Sequence, residues 1–212
     1  MPSGSKIRIH GAVGRAFAET RLFDSPELRV AELTSSSEPE QIGVLRDRLQ
    51  RSFQEFGISA TAAPPQACMA IEEALANAIY HGNLELDSEL KEDDACSFGD
   101  LARQRCRQPP WVHRTVHVTE LASCLGLWIT IRDEGVGFDL EAATRQAAEP
   151  PSLLASGRGL IMMKAFTDDL VFNARGNEVT LVFYAETNQD VRDLLKQRNG
   201  STVSSVSRYS LS

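Results

Sequence analysis

Residues 67–86 read ACMAIEEALANAIYHGNLEL. Ala, Leu, Glu and Ile dominate, so the stretch is helical by propensity. Pro64 and Pro65 suit its first turn and Gly82 its end. Residues four apart on an α-helix are separated by about 40°. With Glu73 as zero, Asn77 falls at about 40° and His81 at about 80°. Cys68, Ile71, Leu75, Ala78, Ile79 and Gly82 gather on the opposite side, which predicts a core face. Glu72 lies well away from Glu73, so the two neighbours cannot share a task. Met69, Tyr80 and Leu84 flank the polar stripe, which therefore reads as the wall of a pocket. The plain alternative is a solvated helix end with capping residues, and the helix taken alone favours it.

Two glycine stretches shift that balance. IRDEGVGFDL places Asp133 at the end of a strand, followed by Gly135 and Gly137. A carboxylate there can accept a hydrogen bond from an exocyclic amine such as that of adenine. The glycines let backbone approach a flat ring. The competing reading is a simple Asp-x-Gly turn. SGRGLIMM places Gly157 and Gly159 before a helix, where backbone N–H groups favour phosphate. Arg158 adds a cation with reach to a terminal phosphate. A glycine-rich helix entry without ligand is the alternative. The chain has neither G-x-x-x-x-G-K-[ST] nor a strand-linked G-x-G-x-x-G, so those two phosphate fingerprints do not apply.

The order of the motifs carries more than any one of them. Glu-x-x-x-Asn-x-x-x-His-Gly precedes Asp-x-Gly-x-Gly-Phe, then Gly-x-Gly-Leu, then a strand with Thr180. This set resembles the Bergerat-type ATP-binding fold of gyrase, heat-shock chaperones, sensor histidine kinases and mismatch-repair ATPases. Within that superfamily it is most similar to the bacterial anti-sigma-factor serine kinases, through Glu73 four residues before Asn77. The resemblance covers roughly residues 28–185.

The resemblance implies ATP and Mg²⁺ as cofactors. It implies Asn77 as the ligand of a Mg²⁺ bridging the phosphates, with His81 close by in the same nucleotide-binding set. It implies Asp133 on the adenine amine, with Gly135 and Gly137 beside the base. Gly157, Arg158, Gly159 and Leu160 match the second glycine box near the phosphates, and Thr180 a position near adenine. Residues 139–156 match an ATP lid. Glu73 matches a general base that takes the proton of a serine hydroxyl on a partner. The implied function is a regulatory serine/threonine kinase that phosphorylates an anti-sigma-factor antagonist, sequesters a sigma factor, or both. A non-catalytic ATP-dependent binding switch is the alternative, and a histidine kinase-like ATPase fragment ranks behind it. Dimerisation is implied by the resemblance only.

The rest of the 212 residues sets the frame. With 42% hydrophobic and 24% charged residues, the composition is that of a globular protein. A net charge of −7 argues against a dedicated nucleic-acid binder. No apolar run spans a membrane and the start lacks a signal-type apolar core, so a cytoplasmic location is expected. Cys68, Cys96, Cys106 and Cys124 lack disulfide or zinc spacing. Residues 1–27 read as a loose arm, 28–187 as one domain and 188–212 as a tail. Within the domain, 84–110 reads as an inserted helical excursion. Serines at 35–37 read as a cap for a helix near 42–56, and Gly57 ends it. The element order β-α-α-(insert)-β-β-loop-α-β-β predicts an α+β two-layer sandwich. Its sheet is expected to be mixed, mostly antiparallel, with helices on one face.

Overall fold

Buried residues alternate along 28–36 and 127–132 and through most of 115–123; 178–184 is a more continuous apolar run, and the four build one sheet. The computed structural model describes residues 7–10, 17–58, 64–86, 95–139 and 158–185. The strands are β1 (Ile7–His10), β2 (Ala18–Asp24), β3 (Leu28–Ser36), β4 (Thr115–Ser123), β5 (Gly126–Arg132), β6 (Asp169–Phe172) and β7 (Glu178–Tyr184). They form a seven-stranded sheet in the order β1-β2-β3-β4-β5-β7-β6. Every neighbouring pair is antiparallel, so the sheet holds no parallel pair among the described residues.

The helices are α1 (Gln41–Glu55), α2 (Pro64–Ala76), α3 (Ala95–Arg105) and α4 (Arg158–Phe166). A π turn, Asn77–Asn83, continues α2, and a 3₁₀ turn, Trp111–His113, precedes β4. Ile42, Leu45, Leu49 and Phe53 of α1, Ile71 and Leu75 of α2 and Met163 of α4 share one core with the inward residues of β3, β4, β5 and β7. Helices on one face of a sheet is the expected two-layer arrangement. Gly57, at φ 60°, closes α1 in the left-handed conformation. The predicted serine cap is corrected: α1 starts after Glu40 without a side-chain cap. Ser35 and Ser36 belong to β3, and Ser37 donates to the Arg114 carbonyl at 2.9 Å.

The reading of residues 1–27 as a loose arm is also corrected, because β1 and β2 extend the sheet beyond β3. Beside the backbone ladder to β3, a buried ion cluster ties β2 to α1 and β4. Arg48, on the core side of α1, is only 4% exposed. Its guanidinium donates to Glu19 of β2 at 2.8 and 3.0 Å and to Glu120 of β4 at 2.9 Å. The Ser52 hydroxyl also donates to Glu120. Burial pushes the Glu19 carboxyl up, but Arg48 and Arg21 outweigh it and hold Glu19 below its ordinary value. The folded unit therefore begins before residue 28.

The insert contains α3, whose Phe98 meets Tyr80 edge-on at 5.2 Å. Gly157, residues 140–156 of the expected lid and the 188–212 tail lie outside the described residues. Among the described residues no helix is long and apolar enough to cross a membrane.

Candidate functional site

Glu73 and Asn77 follow one another at a spacing of four across the junction of α2 and the π turn, and both are half-buried. The first turn of α4 lies against them. A Cβ built on Gly159 would stand 2.7 Å from Glu73 Oε2 and 3.8 Å from Asn77 Nδ2. The Gly159 backbone therefore stands against the Glu73 carboxylate, which a larger residue there would push aside. Leu160, next along, packs against the apolar core and anchors α4. Arg158 opens α4, and its side chain lies outside what is described.

Asp133 stands just beyond β5, 8% exposed. Its backbone N–H donates to the Asn177 carbonyl at 3.0 Å, and its own carbonyl accepts Asn177 Nδ2 at 3.0 Å. Its Oδ1 accepts the Gly135 N–H at 2.8 Å. Burial pushes the Asp133 carboxyl up to about 6, against the opposing pull of the Gly135 N–H, its own N–H, Arg175 and Arg114. Two glycines close the chain around this carboxyl. A Cβ on Gly82 would lie 2.4 Å from Asp133 Cγ, and one on Gly135 would lie 2.4 Å from the Gly82 carbonyl oxygen. Gly137 adopts φ 81° and backs onto the Arg175 carbonyl, which leaves no room for a side chain. The Arg175 guanidinium in turn donates to the Gly135 carbonyl at 3.0 Å.

The structure thus brings Glu73, Asn77 and Gly159 together where α2 passes into the π turn. At the far end of that turn, around Gly82, it brings together Asp133, Gly135 and Gly137. Two sequence-predicted residues do not join them. His81 is exposed, and its Nδ1 lies 2.7 Å from the Leu86 carbonyl, so the ring closes the helix end. The π turn is wider than an α turn, so the angular stripe drawn from Glu73 does not run on to residue 81. Thr180 bonds Thr130 Oγ1 at 2.9 Å. Its neighbours Val179 and Leu181 face the core, so Thr180 points from the opposite face of the sheet, away from the helices. Sequence reasoning missed Asn177, Asn83 and the contact role of Gly82. Asn177 lay hidden in ARGN, a stretch whose turn chemistry explains it without a site. Gly82 was placed on the core face, whereas it packs on the Asp133 carboxyl.

The site thus holds a carboxylate beside an amide at the first turn of a helix, and a buried carboxyl ringed by glycines. The first offers oxygen donors of the kind a hard divalent cation takes. Among the described residues no group of three or more His, Cys, Asp or Glu is placed to hold a metal. Asn77 with Glu73 nearby fits an ion carried chiefly by phosphate oxygens. The model of the histidine kinase-like ATPase domain matches residues 35–183. The chain belongs to that family, and membership implies ATP binding. Comparison with curated proteins gives no match.

A first expected result concerns Gly82. A Gly82→Ala side chain would overlap the buried Asp133 carboxyl, which could yield only by straining its bond from the Gly135 N–H. Overpacking of this kind costs about 1–3 kcal/mol. Chemical denaturation should show that loss together with weaker ATP binding; unchanged binding would separate Gly82 from the site.

Proposed function

We propose that the chain is an ATP-dependent regulatory serine/threonine kinase of the anti-sigma-factor type. It transfers the γ-phosphoryl group to a serine of a small antagonist protein, or holds a sigma factor, or both. The observation that carries this reading is the meeting of Glu73 with Gly159 beside Asn77. A carboxylate one helical turn before the metal ligand, against the first turn of α4, places a proton acceptor where an O–H nucleophile would approach. Water at that place would make the chain an ATPase; a serine hydroxyl as the nucleophile is what the resemblance to the serine kinases adds.

The bound nucleotide and Mg²⁺ supply the phosphoryl group and offset its charge. The residues of the chain do the rest. Asp133 accepts the base amine and fixes the nucleotide's register. Asn77 would hold the metal, and the backbone at Gly159 would face the phosphate end. Glu73 orients the serine hydroxyl and takes its proton as the new O–P bond forms, while the bond to the β–γ bridging oxygen breaks and ADP leaves. Phosphoryl transfer depends mainly on positioning and electrostatics, and a base contributes about 10²–10⁴-fold.

The test is Glu73→Gln, incubated with Mg²⁺, labelled ATP and candidate antagonists encoded near the gene. ATP affinity should stay within about threefold, while serine labelling should fall at least about a hundredfold. Equal labelling would remove Glu73 from the chemistry. Capture of the partner with ATP but no labelling in the wild type would favour a binding switch.

A further inference from the structure

Asn83 ends the π turn and is fully buried, 0% exposed. Its amide joins two other segments of the chain. Oδ1 accepts the backbone N–H of Glu134 at 2.7 Å, and Nδ2 donates to Ser37 Oγ at 2.9 Å. Its backbone carbonyl accepts Arg114 Nη1 at 2.8 Å. Glu134 lies between Asp133 and Gly135, so this one side chain ties the helix end to the loop that carries the buried carboxyl.

Two residues on, Glu85 holds φ at 52°, a conformation that non-glycine residues rarely adopt. Such a conformation persists where surrounding contacts over-determine it. Arg105 of the insert and two residues that follow it supply them. Arg105 Nη1 donates to the Leu84 and Glu85 carbonyls at 2.7 and 2.6 Å, and its guanidinium lies over the Trp111 ring at 4.8 Å. Trp111 Nε1 donates to the Glu85 carboxylate at 3.2 Å, and Arg114 pairs with the same carboxylate at 2.7 Å. The chain is clasped immediately after Asn83 by Arg105 of the segment that reads as an insertion, together with Trp111 and Arg114 just beyond it.

We infer that Asn83 is a positioning residue for base recognition: it holds the Glu134 amide, and so keeps the Asp133 carboxyl against Gly82. The clasp on Leu84 and Glu85 keeps Asn83 in place. The inference rests on Asp133 being the acceptor of the adenine amine. A residue that only fills the core would, when truncated, lower stability and weaken all nucleotides alike. A positioning residue changes which base is preferred.

The experiment measures affinity for ATP and for inosine triphosphate, whose base lacks the exocyclic amine. The full chain is compared with Asn83→Ala and with Arg105→Met. The wild type should favour ATP. Asn83→Ala should weaken ATP about tenfold and inosine triphosphate far less, so the preference narrows. Arg105→Met breaks the clasp without touching the core and should narrow it in the same sense by about threefold; it decides the matter if Asn83→Ala does not fold. A wild type with no preference would sink the Asp133 reading and this inference with it. A clear wild-type preference that survives unchanged in the variants, whatever their stability, overturns this inference alone.

Discussion

An Asp133→Asn chain is expected to lose ATP binding and yet to unfold at a higher temperature than the wild type at neutral pH. The two effects have one origin. The Gly135 N–H is bonded to Oδ1 of residue 133, so an amide at this position keeps its oxygen there. Its NH₂ then faces the incoming base amine, donor against donor. A buried donor left opposite a donor loses about 2–3 kcal/mol, or roughly a hundredfold in affinity.

The stability gain follows from the pKa. The unfolded carboxyl titrates at its ordinary value of 3.8, whereas the folded one is pushed up to about 6. Between those values the folded state binds more protons than the unfolded state, so stability falls as pH rises through the window. Above about 6 the ionised, 8%-exposed carboxylate costs on the order of 3 kcal/mol. Asn is neutral throughout and carries no such cost. The difference in melting temperature between variant and wild type should therefore be positive at neutral pH and shrink towards zero near the unfolded value. Wild-type ATP affinity should weaken as pH drops below about 6, where the acceptor becomes protonated. Scanning calorimetry and titration calorimetry across this range read both. Equal melting temperatures at neutral pH would mean that the site is better solvated than its geometry indicates.

Which parts of this site could be read in the sequence depended on how locally each was determined. Glu73 and Asn77 were legible because a helix fixes residues four apart on one side, whatever the rest of the chain does. Asp133, Gly135 and Gly137 were legible because alternation along β5 locates the strand end, and the close approach there requires glycine. His81 was misplaced because a π turn leaves no mark in a propensity pattern that is strongly helical throughout. Thr180 was misplaced by the parity of β7: only one set of alternate residues faces the helices, and a run as apolar as EVTLVFY does not say which. Asn83 and Asn177 were invisible because their partners lie far along the chain. The same holds for β2. AETRLFD looks solvated on both faces until Arg48 is brought to Glu19. One signal was available. Leu45, Arg48, Leu49 and Ser52 follow the core-facing spacing of α1, and an arginine in such a stripe calls for a buried carboxylate.

That arginine carries the largest expected effect on stability. Arg48→Met keeps much of the side chain's apolar volume but leaves Glu120, 0% exposed, and Glu19, 5% exposed, without their shared cation. Removing one partner of a buried ion cluster costs about 3–5 kcal/mol, because the remaining charges stay desolvated. The loss should be largest at neutral pH. Glu19 is held below its ordinary 4.5, so its contribution is present above that value and fades as pH falls through the lowered one. In the variant Glu19 keeps only Arg21, and protonation in acid relieves its desolvated charge. The gap between the two proteins should therefore narrow as pH falls to about 4.5 and below. Adding Glu19→Gln and Glu120→Gln to Arg48→Met should restore much of the stability, since no buried charge then remains. Urea denaturation of the three proteins at neutral and acid pH separates the accounts. A loss independent of pH would assign Arg48 to packing rather than charge. No loss at all would mean that neither carboxylate depends on Arg48, and that β2 is held by its ladder to β3 alone.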